Sequence, residues 1–438
     1  MSLVRFFYNL AFPFVLVALL PGFLFRMLRR GKYRHKFGQR FAIYSPRVRA
    51  KLSEGDWTWV HAVSVGEVLI ALKLVRELKR REPNLQVVLS TTTSTGFALA
   101  SKEKSDWLEA IYNPIDFLWI VRRALRLIRP RRLLLVEAEV WPNLTAEAKA
   151  QGATLALVNA RLSIRSENRY LAVRPLIAPI FNQLDILCVQ EPDDAVRWAG
   201  LGVEPGKIVC TGSIKFDTEG ETTVRHRDFQ PMLESCGVTA DTPILLAGST
   251  HSGEERILGQ IALDLRKEIP NLFFIVVPRH AERSPKIYED LEKMGHAVKL
   301  RVGENKSSSN STALLVNTTG ELRDWYDYAT VVFVGKSLTA RGGQNPAEAV
   351  AAGKAVVYGP HMENFATLSA QFVRTQGVIQ AIDVPELETA IRRLLSSPEE
   401  RQTLAANGGK CLESHLGATS RTCELLANLV SPSPKSLR

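Results

Sequence analysis

Short apolar runs alternate with amphipathic stretches along most of this chain. WTWVHAV (57–63), LQVVLSTT (85–92), RRLLLVEAE (131–139), ATLALVNA (153–160), DILCVQ (185–190) and KIVCTGSI (207–214) read as strands. Between them, VLIALKLVRELKRR (68–81), DFLWIVRRALRLI (116–128) and DDAVRWAGLG (193–202) carry apolar residues at helical spacing. Strands rich in Val, Ile and Leu that alternate with helices predict a parallel sheet covered on both faces. The alternation lapses across 217–243, a polar and turn-rich stretch that predicts an interdomain connection. It resumes with PILLAGST, LFFIVVPRH, TALLVNTTG, TVVFVGKS and AVVYGP as strands and ends on a helical TSRTCELLANLV. The expected fold class is α/β. Two Rossmann-like, doubly wound domains, 31–217 and 244–430, face a cleft, with a linker at 218–243 and a flexible tail at 431–438.

The N-terminus departs from this pattern. FFYNLAFPFVLVALLPGFLF, residues 6–25, carries no charge, and about 20 such residues suffice to cross a bilayer as a helix. Arg26, Arg29, Arg30, Lys32, Arg34, Lys36 and Arg40 follow, which by the positive-inside rule puts the rest of the chain in the cytoplasm. No small-x-small cleavage site follows the run, which argues against a signal peptide. Asn9, Pro13, Pro21 and Gly22 weaken a regular spanning helix, so residues 1–30 are expected to be a membrane anchor that either spans or lies in the interface. The expected location is the cytoplasmic face of the inner membrane.

Composition adds a little. With 45% hydrophobic and 23% charged residues the chain is not a disordered one. A net charge of +11 suits phosphates, nucleic acid or an anionic membrane. Beside an apolar anchor, contact with membrane lipids is the favoured reading. No RNA-binding signature is present, so no nucleic acid partner is expected. Cys188, Cys210, Cys236, Cys411 and Cys423 are scattered, with no CxxC pair, and suggest a reducing compartment.

In open α/β sheets ligands bind beyond the carboxyl ends of the strands. Those ends carry SVGE (64–67), TTTSTG (91–96), EAEVWPN (137–143), NARLS (159–163) and TGSIKFD (211–217) in the first domain. In the second they carry GSTHSGEE (248–255), PRH (278–280), TTGE (318–321) and RGGQNPAEA (341–349). Glu67 sits where a helix N-terminus favours an ionised carboxylate, which can act as a general base or simply cap the helix. Glu137 and Glu139, two apart on a strand, are expected to point to opposite faces, so only one reaches the cleft. Lys215 can meet developing negative charge or be merely solvated. GSTHSGEE is a Gly-Ser turn opening a helix, suited to an anion, but it lacks the Lys-Ser/Thr of a P-loop. Asn345 and Glu348 offer the donors and acceptors that a ribose or base edge needs, although Glu348 can equally cap a helix. His61, His251, His280 and His361 share no ligand spacing, and no catalytic metal or cofactor is expected.

Taken in order, HAVSVGEV, TTTSTG, EAEVWPNL, NARLSIRS, TGSIKFD, AGSTHSGEE, PRHAER, TGELRDWY, FVGKSL, RGGQNPAEA and YGPHMENF resemble the motifs of the bacterial Kdo transferases. These are glycosyltransferases that move 3-deoxy-D-manno-octulosonic acid (Kdo) from CMP-Kdo to a lipid A precursor, lipid IVA. The resemblance covers most of the chain. It implies a metal-independent enzyme of GT-B fold, with CMP-Kdo as donor and the lipid A precursor as acceptor. It further implies that Glu67 is the general base, with Glu137 and Lys215 as transition-state stabilisers. Pro278, Arg279, Thr319, Gly320, Glu321, Asn345, Pro346, Ala347 and Glu348 match the segments that hold CMP. The family pattern reads ETE where Ala138 stands, GGS where Lys336 stands, GGHNP where Gln344 stands, PRHPER where Ala281 stands and Met-Gly-Glu where Thr319 stands. Lys336 and Gln344 bear on donor affinity or sugar identity. The rivals are a GT-B enzyme that transfers another nucleotide sugar onto an envelope lipid, and a non-catalytic lipid-binding relative. A GT-B-like sugar-nucleotide epimerase is a more distant rival.

Overall fold

A computed structural model describes residues 3–30, 36–103, 105–217, 227–303 and 310–429. The chain divides into two compact units, 1–217 with 415–438, and 218–414.

In the first unit seven strands run parallel: β1 (Trp57–His61), β2 (Val87–Thr91), β3 (Leu108–Tyr112), β4 (Pro130–Val136), β5 (Thr154–Ala160), β6 (Ile186–Val189) and β7 (Ile208–Cys210). Their order is β3-β2-β1-β4-β5-β6-β7. Alternate residues feed the two faces. Trp57, Trp59, Leu133, Leu135, Leu155 and Leu157 join one core, while Val60, Leu134, Val136, Ala156 and Val158 join the other. Order runs one way from β1 and the other way from β4, so a crevice opens above the ends of β1 and β4.

The second unit repeats the design with β8 (Ile244–Thr250), β9 (Phe273–Pro278), β10 (Val298–Leu300), β11 (Ala313–Leu315), β12 (Val331–Val334), β13 (Ala355–Tyr358) and β14 (Ile379–Gln380). Their order is β10-β11-β9-β8-β12-β13-β14, with the reversal between β8 and β12. The pattern of apolar runs anticipates every long strand. It misses β3, β10 and β14, which are outer strands that are short or carry a charged or polar residue.

One boundary differs from the sequence expectation. The last helix, Ala418–Asn428, belongs to the first unit rather than to 244–430. Asp217, only 2% exposed, accepts from the backbone N–H groups of Gly417 (3.0 Å) and Thr419 (2.8 Å) at the start of that helix. Arg421 returns to the Thr211 carbonyl at 2.7 Å, and Cys423 and Leu426 enter the core. Of the expected linker, 218–226 lies outside the described residues, as does the polar tail; 227–243 is no free connection but part of the second unit, with a short helix Gln230–Glu234 and buried Phe229, Leu233, Cys236 and Val238.

A helix spans Leu3–Arg30, yet among the described residues no helix is long and apolar enough to cross a membrane. Its first turns lie along the first unit: Tyr8 donates to Asp116 at 2.9 Å, Arg5 to Asn143 at 2.9 Å, and Phe12 meets Phe117 edge-on. Phe6, Phe7, Leu10, Phe14 and Val17 are exposed on the other side. Of the basic cluster, Lys32 and Arg34 fall outside the described residues. Arg40 is turned inward, over the Tyr112 ring and onto the Thr92 carbonyl.

Asp217→Ala removes the acceptor for two buried N–H groups, so it is expected to cost about 2 kcal/mol. Urea unfolding measures the loss, and hydrogen exchange at 418–428 should accelerate selectively; equal acceleration everywhere would contradict a local clasp.

Candidate functional site

The crevice of the first unit gathers charge. Ser64 opens the helix Val65–Arg81 with a capping box. The Ser64 hydroxyl accepts from the Glu67 N–H, and the Glu67 carboxylate accepts from Val63 N–H at 2.8 Å and Ser64 N–H at 3.3 Å. Glu67 is thus a cap as well as a candidate base, with its carboxylate fixed and 8% exposed. TTTSTG supports that turn: Thr91 and Thr93 hydroxyls both donate to the Val63 carbonyl at 3.1 Å. Gly96 must be glycine there, since a Cβ would stand 2.6 Å from the Thr91 hydroxyl.

At the end of β4 the expectation of opposite faces fails. Glu137 has φ 62°, so the strand stops and Glu137–Glu139 form a turn. Alternation no longer applies, and both carboxylates feel Glu67. Burial first, then the Glu67 charge, raise the Glu137 carboxyl, against the pull of Arg161 and Lys215. Burial, then Glu67 and Glu137, push Glu139 up to about 7. Lys215 is accessible by area, yet its ammonium lies over the Phe216 ring, 5.5 Å from the centroid. Desolvation there lowers its pKa, Glu137 opposes the drop and Arg161 adds to it. Glu139 and Arg161 thus belong to this cluster, although neither spacing nor pattern assigned them. Buried Asn159, at φ 54°, accepts the Ile214 N–H at 2.9 Å and so sets the segment that carries Lys215.

The crevice of the second unit is built around a different carboxylate. Fully buried Glu254 accepts from the backbone N–H groups of His251 (2.7 Å), Lys336 (2.8 Å), Ser337 (3.0 Å) and Leu338 (3.0 Å). It ties the turn after β8 to the turn after β12, taking N–H groups that the sequence left free for an anion. Gly335 permits this closeness, because a Cβ there would lie 2.4 Å from the Ser249 carbonyl. Glu255 holds Thr250 and a two-point pair with Arg283.

The sequence-assigned nucleotide residues sit at neighbouring strand ends. Pro278 closes β9 and is buried; Arg279 is exposed, with its N–H on the Thr250 carbonyl. Thr319 and Gly320 are exposed in a turn where Gly320 has φ 80°. Glu321 is 7% exposed and occupied by Arg227 (2.8 Å) and Arg301 (3.2 Å). Half-buried Asn345 spends its side-chain oxygen on the Ala347 N–H at 3.1 Å, at the start of the short helix Ala347–Ala351. Pro346 and Ala347 are buried beside half-buried Glu348. Lys336 adopts φ 57°, a left-handed position, with its ammonium near Gly342. His251, half-buried, is lowered mainly by burial, and Lys336 adds to the effect. His61 is no crevice residue: it is sealed in β1 against Ser90, and burial lowers it to about 4. Among the described residues no group of His, Cys, Asp and Glu could hold a metal ion.

Residues 35–218 match the family model described as 3-deoxy-D-manno-octulosonic-acid transferase (kdotransferase). The chain is 31% identical to the 3-deoxy-D-manno-octulosonic acid transferase of Haemophilus influenzae, over 90% of this chain and 91% of the relative. It is 33% identical to that of Bordetella pertussis, over 84% and 86%. Among solved structures, MurG of Acinetobacter baumannii aligns with TM-score 0.53 at 12% identity, covering 86% of this chain and 100% of that one. A putative UDP-N-acetylglucosamine 2-epimerase from Listeria monocytogenes aligns with TM-score 0.53 at 14% identity, covering 85% and 95%. Both likenesses are of fold.

Carbon-13 detected titration should find Glu139 titrating near neutrality. Because like charge lifts it, Glu67→Gln should lower that midpoint; an unchanged midpoint would show that the two do not interact. The folded value lies above the ordinary one, so this group's contribution to stability falls as pH rises from about 4.5 towards about 7. Lys336→Gly removes a left-handed side chain and should stabilise the protein by up to about 1 kcal/mol in thermal unfolding. A loss of stability would mean that the ammonium contributes more than the backbone costs.

Proposed function

We propose that this chain, which belongs to the 3-deoxy-D-manno-octulosonic acid transferase family, moves Kdo from CMP-Kdo to a sugar hydroxyl of a lipid A precursor, with Glu67 as general base. The observation that carries the role of Glu67 is the crevice of the first unit. A fixed carboxylate at the tip of β1 stands beside two carboxyls whose proton affinity is raised in part by its charge. Deprotonation of an acceptor hydroxyl needs a base held in place, and a base held by backbone N–H groups loses no rotamer freedom on use. Lys215, which feels both Glu137 and Arg161, is a positive group of this crevice and suits stabilisation of developing negative charge. In the second unit Arg279, exposed at the end of β9, suits the donor phosphate as a charge-assisted fork. The Asn345 amide and the Thr319–Gly320 turn suit the nucleoside. Glu321 acts there by holding Arg301 and Arg227, not as a free acceptor.

The acceptor is a lipid, and the N-terminal helix supports that reading. Arg5, Tyr8, Asn9 and Phe12 face the first unit, while Phe6, Phe7, Leu10, Phe14 and Val17 form an exposed apolar stripe. An exposed apolar stripe on a helix whose other side is docked suits an interfacial position among acyl chains, and this supports a reading in which the enzyme works at a membrane surface.

The test is transfer from CMP-Kdo, generated in situ, to a tetra-acylated lipid A precursor, with product mass read directly. A gain of one or more Kdo units is expected. Glu67→Gln should reduce turnover by about 10³-fold or more while CMP binding persists. Full turnover in that variant would remove Glu67 from the base role. CMP binding with no transfer by the parent chain would point to another sugar or acceptor.

A further inference from the structure

The polar face of the N-terminal helix ends on the segment that carries Glu137 and Glu139. Asn143 is the contact, fully buried at the first turn of the helix Pro142–Ala150. Its side-chain oxygen accepts from Arg5 Nε at 2.9 Å and Asn9 Nδ2 at 3.2 Å, and its Nδ2 donates to Asn9 Oδ1 at 2.8 Å and the Asp116 carbonyl at 2.6 Å. The Asp116 carboxylate, 2% exposed, accepts the Tyr8 hydroxyl and the backbone N–H groups of Asn143 and Leu144, each at 2.9 Å. Arg5 also pairs with Glu147, which Arg122 holds at 2.8 Å from the other side.

Little slack separates this network from the carboxylates. Glu137 N–H is bonded to the Val158 carbonyl at 3.0 Å and Val140 N–H to the Ala138 carbonyl at 3.0 Å, and Pro142 fixes its own φ. A displacement of Asn143 must therefore appear in the turn 137–141. Membrane attachment needs only the apolar stripe; it does not need three side chains placed on one buried asparagine and one buried aspartate. Burying that many polar groups costs free energy unless each is matched, and here each is matched across the helix.

We infer that Arg5, Tyr8 and Asn9 are positioning residues: through Asn143 and Asp116 the N-terminal helix sets the Glu137–Trp141 turn, so the segment that meets the bilayer also places the reactive carboxylates. The inference rests on the function proposed above and on the transition-state role that the resemblance implies for Glu137.

The test uses the full chain carrying Asn9→Ala, with Tyr8→Phe as a milder variant that keeps the ring should the first fail to fold. Acceptor is supplied in detergent, so that attachment to vesicles does not limit the rate. Hydrogen exchange over 137–144 is expected to accelerate, and kcat to fall about tenfold with the CMP-Kdo KM within about twofold of the parent. Parental exchange in that segment overturns the inference, whatever the activity. Faster exchange with parental kcat also overturns it, because the turn would then move without consequence. Glu137→Gln separates the two claims: full turnover there removes Glu137 from the reaction, while faster exchange in Asn9→Ala would still show the brace.

Discussion

The reversal of strand order in each sheet is the constraint on which the rest depends. Where neighbouring helices leave a parallel sheet in opposite directions, the ends of the two central strands are left uncovered. Each unit has one such place, above β1 and β4 and above β8 and β12. Each is held by a buried carboxylate that accepts backbone N–H groups, Glu67 in the first and Glu254 in the second. The two differ in what is left over. Glu254 spends itself on four N–H groups and welds two turns, whereas Glu67 takes two and remains beside other charges. The Glu254 arrangement makes a rigid floor, and the Glu67 arrangement leaves a charged one.

Much of this was legible in the residues. Apolar runs followed by amphipathic stretches carry the period of each element, so the long strands and the two-unit plan could be read directly. SVGE likewise shows its cap, because Ser and Glu three apart at a helix start satisfy each other's N–H groups. What could not be read has a physical cause in each case. Glu137 departs from strand alternation because its φ turns positive, a property no side chain announces. The pairing of Glu321 with Arg227 and Arg301 could not be read either, because both partners are remote in sequence. The last helix returns to the first unit through Asp217, a pairing of residues some 200 positions apart. The N-terminal run looked uniformly apolar, and only its contacts separate a docked face from an exposed one.

Backbone strain is found at these places too, although Lys36, Ala42, Asp56, Arg129 and Gln376 also take positive φ away from them. Glu137 and Asn159 in the first unit, and Ser249 and Lys336 in the second, all have φ between 54° and 62°. Each lies at or just past the end of a central strand. For residues with a Cβ this conformation costs about 1–2 kcal/mol, a cost that glycine avoids. A fold that required only the turn would be more stable with glycine at all four positions. At Glu137, Asn159 and Lys336 the side chain does something in the crevice that glycine could not. Asn159 gives its oxygen to the Ile214 N–H beneath Lys215, and Glu137 adds charge to the carboxylate cluster. Lys336 puts an ammonium beside Gly342 and His251 in the second crevice. Strain of this kind survives only where the surroundings over-determine the backbone, which the Glu254 weld and the Asn159 brace provide. The rigid parts of both crevices are what allow their strained and charged parts to exist.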